Sequence, residues 1–309
     1  MIKNRLFLLV SLLMIAALAF LLPSSAALTE GFIPIPWEEK IAPIPDYSKY
    51  SNEDLSYKDD SLTIDGYRGR EYDTNYIYMH IKLSDPSQLR TAPASSFRSQ
   101  STAVGSKIAK RVQAVMAING DFFTMDPYGV AIRNGHVYRT RPTGEDILFI
   151  DNLGDFHVLE GIRKAEPVKQ FIKDAEANGK PIIHAFTFGP VLVKNGESII
   201  PVGQKFNYFN TASQKLAQRI SFSQLGPLEY LVVATDGPEN KNCKGLKMEE
   251  IAALTAKIGK IFSPDGCIIS YNLDGGSSST VVMNNQKVNA PGSKIRYIAD
   301  IIFFATLVR

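Results

Sequence analysis

The chain has 309 residues, 45% of them hydrophobic and 21% charged, which excludes a disordered polypeptide and leaves ample length for a large core. Its formal charge is +3, two units of which sit at Lys3 and Arg5, so the charge balance implies no nucleic-acid partner. The first segment has the parts of an export signal: Lys3 and Arg5, an apolar run from Leu6 to Leu22 broken only by Ser11, then Pro23-Ser24-Ser25-Ala26-Ala27. Residues 1–27 are therefore expected to carry the protein out of the cytosol, with cleavage near Ala26 or Ala27 favoured by the small residues there. The run also approaches the roughly 20 residues that span a bilayer, so an uncleaved anchor stays open as the one route to a membrane.

Residues 28–60 are rich in Pro, Tyr and charge, and Ile33-Pro34-Ile35-Pro36 and Ala42-Pro43-Ile44-Pro45 repeat a short extended pattern. They read as a spacer, or a strap laid over a folded domain spanning 61–309. Tyr76 to Leu83 alternates as a half-buried strand does. Ser99 to Arg111 has apolar residues at helical spacing and feeds a strand, Gln113 to Ile118, that stops at Asn119-Gly120-Asp121-Phe122-Phe123. Asn134-Gly135, Asn195-Gly196 and Asn284-Asn285 each divide strand-like runs and suit tight hairpins, while Pro167 to Asn178 reads as a surface helix.

Towards the C-terminus a strand at 228–235, a helix at 247–259 and a strand at 267–273 read as a parallel crossover unit. The expected fold is thus α+β or mixed α/β: one domain with a largely antiparallel mixed sheet, a C-terminal βαβ unit and a cleft at the strand ends. Cys243 and Cys267 would flank the crossover helix about 20 Å apart, too far for a disulfide, which needs Cα atoms within about 7 Å.

The most informative stretch is Asn272-Leu273-Asp274-Gly275-Gly276-Ser277-Ser278-Ser279-Thr280: a carboxylate, two glycines and four hydroxyls directly after an apolar strand. Glycines let backbone amides approach a ligand, and hydroxyls suit phosphate or sugar oxygens, although a plain Gly/Ser turn would look the same. In a crossover unit Asp236 and Asp274 would share one sheet edge, roughly 5 to 10 Å apart, the range of paired acids in glycoside cleavage. Asn119 and Asp121 form a further strand-end cluster. Arg133 and Arg219 interrupt apolar stretches, and a guanidinium matches phosphate, although an Arg in a strand more often pairs with a structural carboxylate. The four histidines show no metal-ligand spacing; a divalent cation on Asp121, Asp236 or Asp274 stays open. Walker, dinucleotide and Gly-x-Ser-x-Gly patterns are missing, so no cofactor is expected.

Three strings in order, Ala117-Ile118-Asn119-Gly120-Asp121-Phe122-Phe123, Phe188 to Gly196 and Asn272 to Thr280, resemble the phosphodiester glycosidase family from about residue 75 to the C-terminus. The resemblance implies a cleft built from Asn119, Asp274, Ser278, Ser279 and Thr280, with Arg219 and Asp236-Gly237 at further family positions. Ser277 replaces a family glycine, and Arg219-Ile220-Ser221-Phe222 lacks the Pro before and the Gly after the arginine. It also implies hydrolysis of a sugar-1-phosphodiester in a carbohydrate or phospho-glycan, with Asp274 as nucleophile or base and Asp236 as its partner. Arg133, Arg219, Asn119, Asp121 and the loop Gly275, Gly276, Ser277, Ser278, Ser279 and Thr280 would bind substrate. A non-catalytic polysaccharide-binding module and an exported structural protein are the competing expectations.

Overall fold

The structure is a computed structural model that describes residues 31–121, 128–203, 205 and 213–309. The expected export segment and Phe122-Phe123 lie outside the described residues. The chain divides into two units, Met1–Phe32 and Ile33–Arg309, and the second holds all the described strands and helices.

Three antiparallel sheets make the frame. The largest has nine strands, with Leu62–Glu71, Thr74–Leu83, Glu229–Thr235, Ile220–Gly226, Ile269–Asn272 and Val191–Lys194 as its successive inner members. A second sheet centres on Ile182–Thr187 between Ile147–Asp151 and Gly129–Arg133. A third centres on Met116–Asn119 between Val281–Met283 and Asp300–Phe304. All three expected hairpins form, and each turn has the positive φ it needs: Asn134 and Gly135 at 49° and 77°, Asn195 and Gly196 at 48° and 77°, Asn284 and Asn285 at 49° and 61°.

Strand alternation decides which faces are covered. In Glu229–Thr235, Val232 and Ala234 enter the core shared by all three sheets, where Phe222, Tyr271, Ile118, Phe186 and Phe304 also meet. Leu231 and Val233 point the other way, under the helix Met248–Phe262 with Ile251, Leu254 and Ile258. A second helix, Ala165–Ala177, covers the second sheet through Val168 and Phe171, as its sequence pattern predicts.

The crossover expectation needs correction. The strands flanking the helix Met248–Phe262 do run in the same direction, but Ile220–Gly226 lies between them, antiparallel to both, so no adjacent parallel pair forms. The cause is local: the short Pro227-Leu228 turn folds Ile220–Gly226 and Glu229–Thr235 into a hairpin, which fills the neighbouring place. The first helix is also shorter than its spacing predicts, Gly105–Arg111, because Ala103–Val104 pairs with Tyr297–Ile298 and Ser99 bonds back to Ser96. Both cysteines are buried and free.

Residues 33–46 form no helix or strand of their own, and Ile35 N donates to Ser87 Oγ at 2.9 Å. Proline lacks an N–H, so such a segment exposes carbonyls with few internal partners; Arg90, only 1% exposed, donates to the carbonyls of Ile35, Pro36, Trp37 and Glu39. Burial pushes its guanidinium down to about 10. Tyr50–Ser51 and Ser56–Lys58 then extend the edge of the large sheet.

Phe304 is fully buried where the third sheet meets the large one, near Phe222 and Tyr230. Phe304→Ala is expected to lower stability by about 3–5 kcal/mol in urea unfolding, whereas a loss under about 1 kcal/mol would contradict a single core joining the sheets.

Candidate active site

Two strands end beside each other. Met116–Asn119 delivers Asn119-Gly120-Asp121, and Ile269–Asn272 delivers Asp274 and the glycine-serine loop. The Asn119 side chain ties them together: its Nδ2 donates to Asp274 O at 2.8 Å and its Oδ1 accepts from Thr280 N at 2.9 Å. Asn119 N also donates to Thr280 O at 3.1 Å. On the other side Gly276 N donates to Gln218 O at 2.8 Å, and a Cβ on Gly275 would come within 2.7 Å of that same oxygen. Gly276 has φ +57°, so both glycines are required by backbone approach and conformation.

Between these loops lies a cavity of about 510 Å³, within the usual range for a small-molecule site. Asp121 and Asp274 face it together with Ser277 and Ser278. Among the described residues its lining is completed by Thr102 and the segment Lys294 to Ala299, which presents the exposed cations Lys294 and Arg296.

Asp121 is fixed from beneath. Its Oδ1 accepts from Arg133 Nη2 at 2.7 Å and its Oδ2 from Thr187 N at 3.0 Å. Arg133 Nε donates to Asp300 Oδ2 at 2.9 Å, another guanidinium N–H bonds Ala185 O, and the group stacks on Phe186 with its carbon 4.1 Å from the ring centre. Burial alone would weaken the hold of Arg133 on its proton, but Asp121 and Asp300 outweigh it and raise the guanidinium above its ordinary value. Burial raises the Asp300 carboxyl, against the pull of Arg133. Its Oδ1 has no partner among the described residues, and a Cβ on Gly120 would collide with it.

Asp274 is different in kind. Burial pushes its carboxyl up to about 6; a hydrogen bond from Ser278 and the charge of Arg296 oppose the rise, and the nearby charge of Asp121 adds to it. Asp274 thus changes charge in a pH range where a carboxylate can work as nucleophile or base.

The sequence-predicted residues divide accordingly. Asn119, Asp121, Asp274, Ser277 and Ser278 gather at the cavity, while Ser279 and Thr280 are buried behind it, Ser279 bonded by Asn289 and Thr280 by Asn119. Ser277 sits in the short turn Gly276–Ser278 and its Oγ lies 3.5 Å from Arg296 Nη1, so the position accepts a side chain where the family pattern has glycine. Asp236 does not line the cavity. Its Oδ2 accepts from Asn240 at 2.9 Å and Asn75 at 3.4 Å and receives the Cys243 thiol at 3.7 Å, which makes it an anchor for its own turn. Arg219 is also elsewhere, donating to Leu246 O at 3.0 Å and Lys215 O at 2.8 Å, with burial lowering it to about 10. Arg133 is spent on two carboxylates, not offered to phosphate.

Sequence reasoning missed Lys294, Arg296 and Asp300. The first two lie in a polar stretch after Pro291-Gly292 with no periodicity to single them out; Asp300 could have been suspected as an acid opening the apolar strand Asp300–Phe304. Among the described residues no three His, Cys, Asp or Glu side chains gather as a metal site.

Residues 112–305, more than half of the chain, match the phosphodiester glycosidase family. The chain belongs to that family. The zebrafish N-acetylglucosamine-1-phosphodiester alpha-N-acetylglucosaminidase catalytic domain, auto-inhibited by its pro-peptide, shares the fold with a TM-score of 0.62 at 17% identity, over 84% of this chain and 86% of that one. A hypothetical protein from Synechocystis aligns with a TM-score of 0.51 at 14% identity, over 79% of this chain and 62% of that one. No curated protein is significantly similar to the chain in sequence. The family match spans both cavity loops, from before Asn119 to beyond Thr280.

Removing one partner from a buried ion pair leaves an uncompensated charge. Arg133→Met is therefore expected to cost about 3–5 kcal/mol in urea unfolding near pH 7, whereas a loss under about 1 kcal/mol, the range of an exposed pair, would contradict the buried arrangement.

Proposed function

We propose that this phosphodiester glycosidase family member is an exported hydrolase that cleaves the bond between a sugar anomeric carbon and a phosphodiester oxygen in a cell-surface or extracellular glycan, the sugar being of the N-acetylglucosamine type. One observation carries the reading: Asp274, Asp121 and Arg296, from three distant parts of the chain, face one cavity. The N-terminal pattern of Lys3, Arg5 and the Leu6 to Leu22 run supports export, either with cleavage or with retention at a membrane.

The chemistry follows from how each carboxylate is held. Both Asp121 oxygens are already hydrogen-bonded, so Asp121 acts through its charge, stabilising positive charge as it develops at the sugar carbon. Asp274 is the reacting group, either attacking the anomeric carbon or taking a proton from the water that does. The carbon–oxygen bond to phosphate breaks, the electron pair leaves with the phosphate, and water supplies the new hydroxyl. A phosphate monoester is a good leaving group, so protonating it matters less than stabilising the cationic carbon. Asp236 is not assigned a catalytic role, and Asp121 takes the partner role that the resemblance implied for it.

A base or nucleophile must be ionised. The kcat/KM of the protein on a GlcNAc-1-phosphodiester is expected to rise with pH through a midpoint near 6, the value at which Asp274 loses its proton. Asp274→Asn is expected to lower turnover by about 10²–10⁴-fold with the fold intact. Undiminished turnover in that variant would remove the assignment. Rates falling through pH 6 would make Asp274 an acid instead, and binding with no turnover by the unaltered protein would favour the non-catalytic reading.

A further inference from the structure

The cavity is electrically lopsided. The two strand-end loops carry Asp121 and Asp274, which repel an anion; the segment Lys294 to Ala299 carries Lys294 and Arg296, which attract one. A sugar-1-phosphodiester is itself lopsided, with a neutral ring on one side of the scissile bond and a negative phosphate on the other. Only one orientation satisfies both: ring towards the carboxylates, phosphate towards the cations.

The cationic segment is held in place by its backbone, leaving its side chains for a ligand. Lys294 N donates to Glu239 Oε2 at 3.2 Å, the preceding Ser293 Oγ accepts from Lys287 Nζ at 2.9 Å, and Tyr297 and Ile298 pair with Val104 and Ala103. Arg296 leans towards Ser277 and bears electrostatically on Asp274, so a group at its guanidinium lies next to the reacting carboxyl. Between and beyond the cations, Ile295 and Tyr297 line the same cavity yet are 56% and 60% exposed. Large apolar side chains exposed beside an anion-binding arginine are suited to a ligand that is anionic at one point and apolar just past it.

Resting on the hydrolase reading above, we propose that the segment Lys294 to Tyr297 is the leaving-group subsite: Arg296 and Lys294 hold the phosphodiester anion, and Ile295 and Tyr297 contact the first carbons of an apolar aglycone. The substrate class is then a sugar-1-phosphodiester of an alkyl or isoprenoid-like alcohol, in preference to one of a polar polyol. Arg133 and Arg219 take no part in holding the phosphate.

The test is calorimetric binding of the methyl and octyl phosphodiesters of GlcNAc-1-phosphate to the full chain carrying Asp274→Asn. The octyl ester is expected to bind about tenfold tighter or more, from burial of its chain. Adding Ile295→Ser with Tyr297→Ser should erase that advantage, weakening the octyl ester by a larger factor than the methyl ester. Adding Arg296→Gln should weaken both esters about tenfold and flatten their salt dependence. Equal affinity for the two esters, or unchanged affinity with Arg296→Gln, would overturn the subsite. If this binding pattern holds while the unaltered protein hydrolyses neither ester, the hydrolase reading fails and the subsite stands. Turnover without the octyl advantage has the reverse meaning.

Discussion

The site depends on the carboxamide of Asn119. Two strands of different sheets end near one another; pairing of Val281–Met283 with Met116–Asn119 brings the far end of the glycine-serine loop to Asn119, but no strand pairing fixes its near end at Asp274. Asn119 supplies that link: a single side chain accepts from Thr280 N and donates to Asp274 O, closing the ends of the glycine-serine loop around one polar group. An amide offers a donor and an acceptor at fixed spacing, which neither an aspartate nor a leucine can imitate in a buried position. Each bond adds only about 1 kcal/mol net, yet leaving the buried partners unmatched would cost more, so the loop positions are strongly specified.

Around this clamp the charges are arranged by unequal burial. Asp121 is tied to Arg133 and a backbone N–H, Asp300 shares Arg133 from the other side, and among the described residues Asp274 forms no ion pair, feeling Arg296 only through its charge. The outcome is two carboxyl groups in one cavity in different settings. One has both oxygens occupied by hydrogen bonds. Burial pushes the other up to about 6. Burying Arg133 with two acids stabilises little by itself, since desolvation offsets most of the attraction; its value lies in fixing where Asp121 stands.

Much of this was legible in the residues. The alternation from Tyr76 to Leu83, the apolar strand Glu229–Thr235, the three Asn-containing turns and the two helices follow from local periodicity and backbone preference, and they appear as expected. The two cavity loops were also legible, because polar residues stop apolar strands abruptly at Asn119 and Asn272. What local pattern cannot reveal is pairing order. Placing Asp236 beside Asp274 assumed adjacent parallel strands, and the intervening Ile220–Gly226 strand removed the basis for that pairing. Arg133 and Arg219 illustrate a related limit: a cation set among apolar residues signals burial, and burial makes it a partner for carboxylates or carbonyls before it can meet substrate. Lys294 and Arg296, which do face the cavity, lie in an aperiodic stretch where composition carries no signal.

The central claim is that Asp121 and Asp274 share one cavity closely enough for each to feel the other's charge. A carboxyl ¹³C NMR titration of Asp274, in the unaltered protein and in Asp121→Asn, measures this directly. The structure predicts a midpoint near 6 that moves down when the Asp121 charge is removed. An ordinary aspartate midpoint near 4, unmoved by Asp121→Asn, would contradict it.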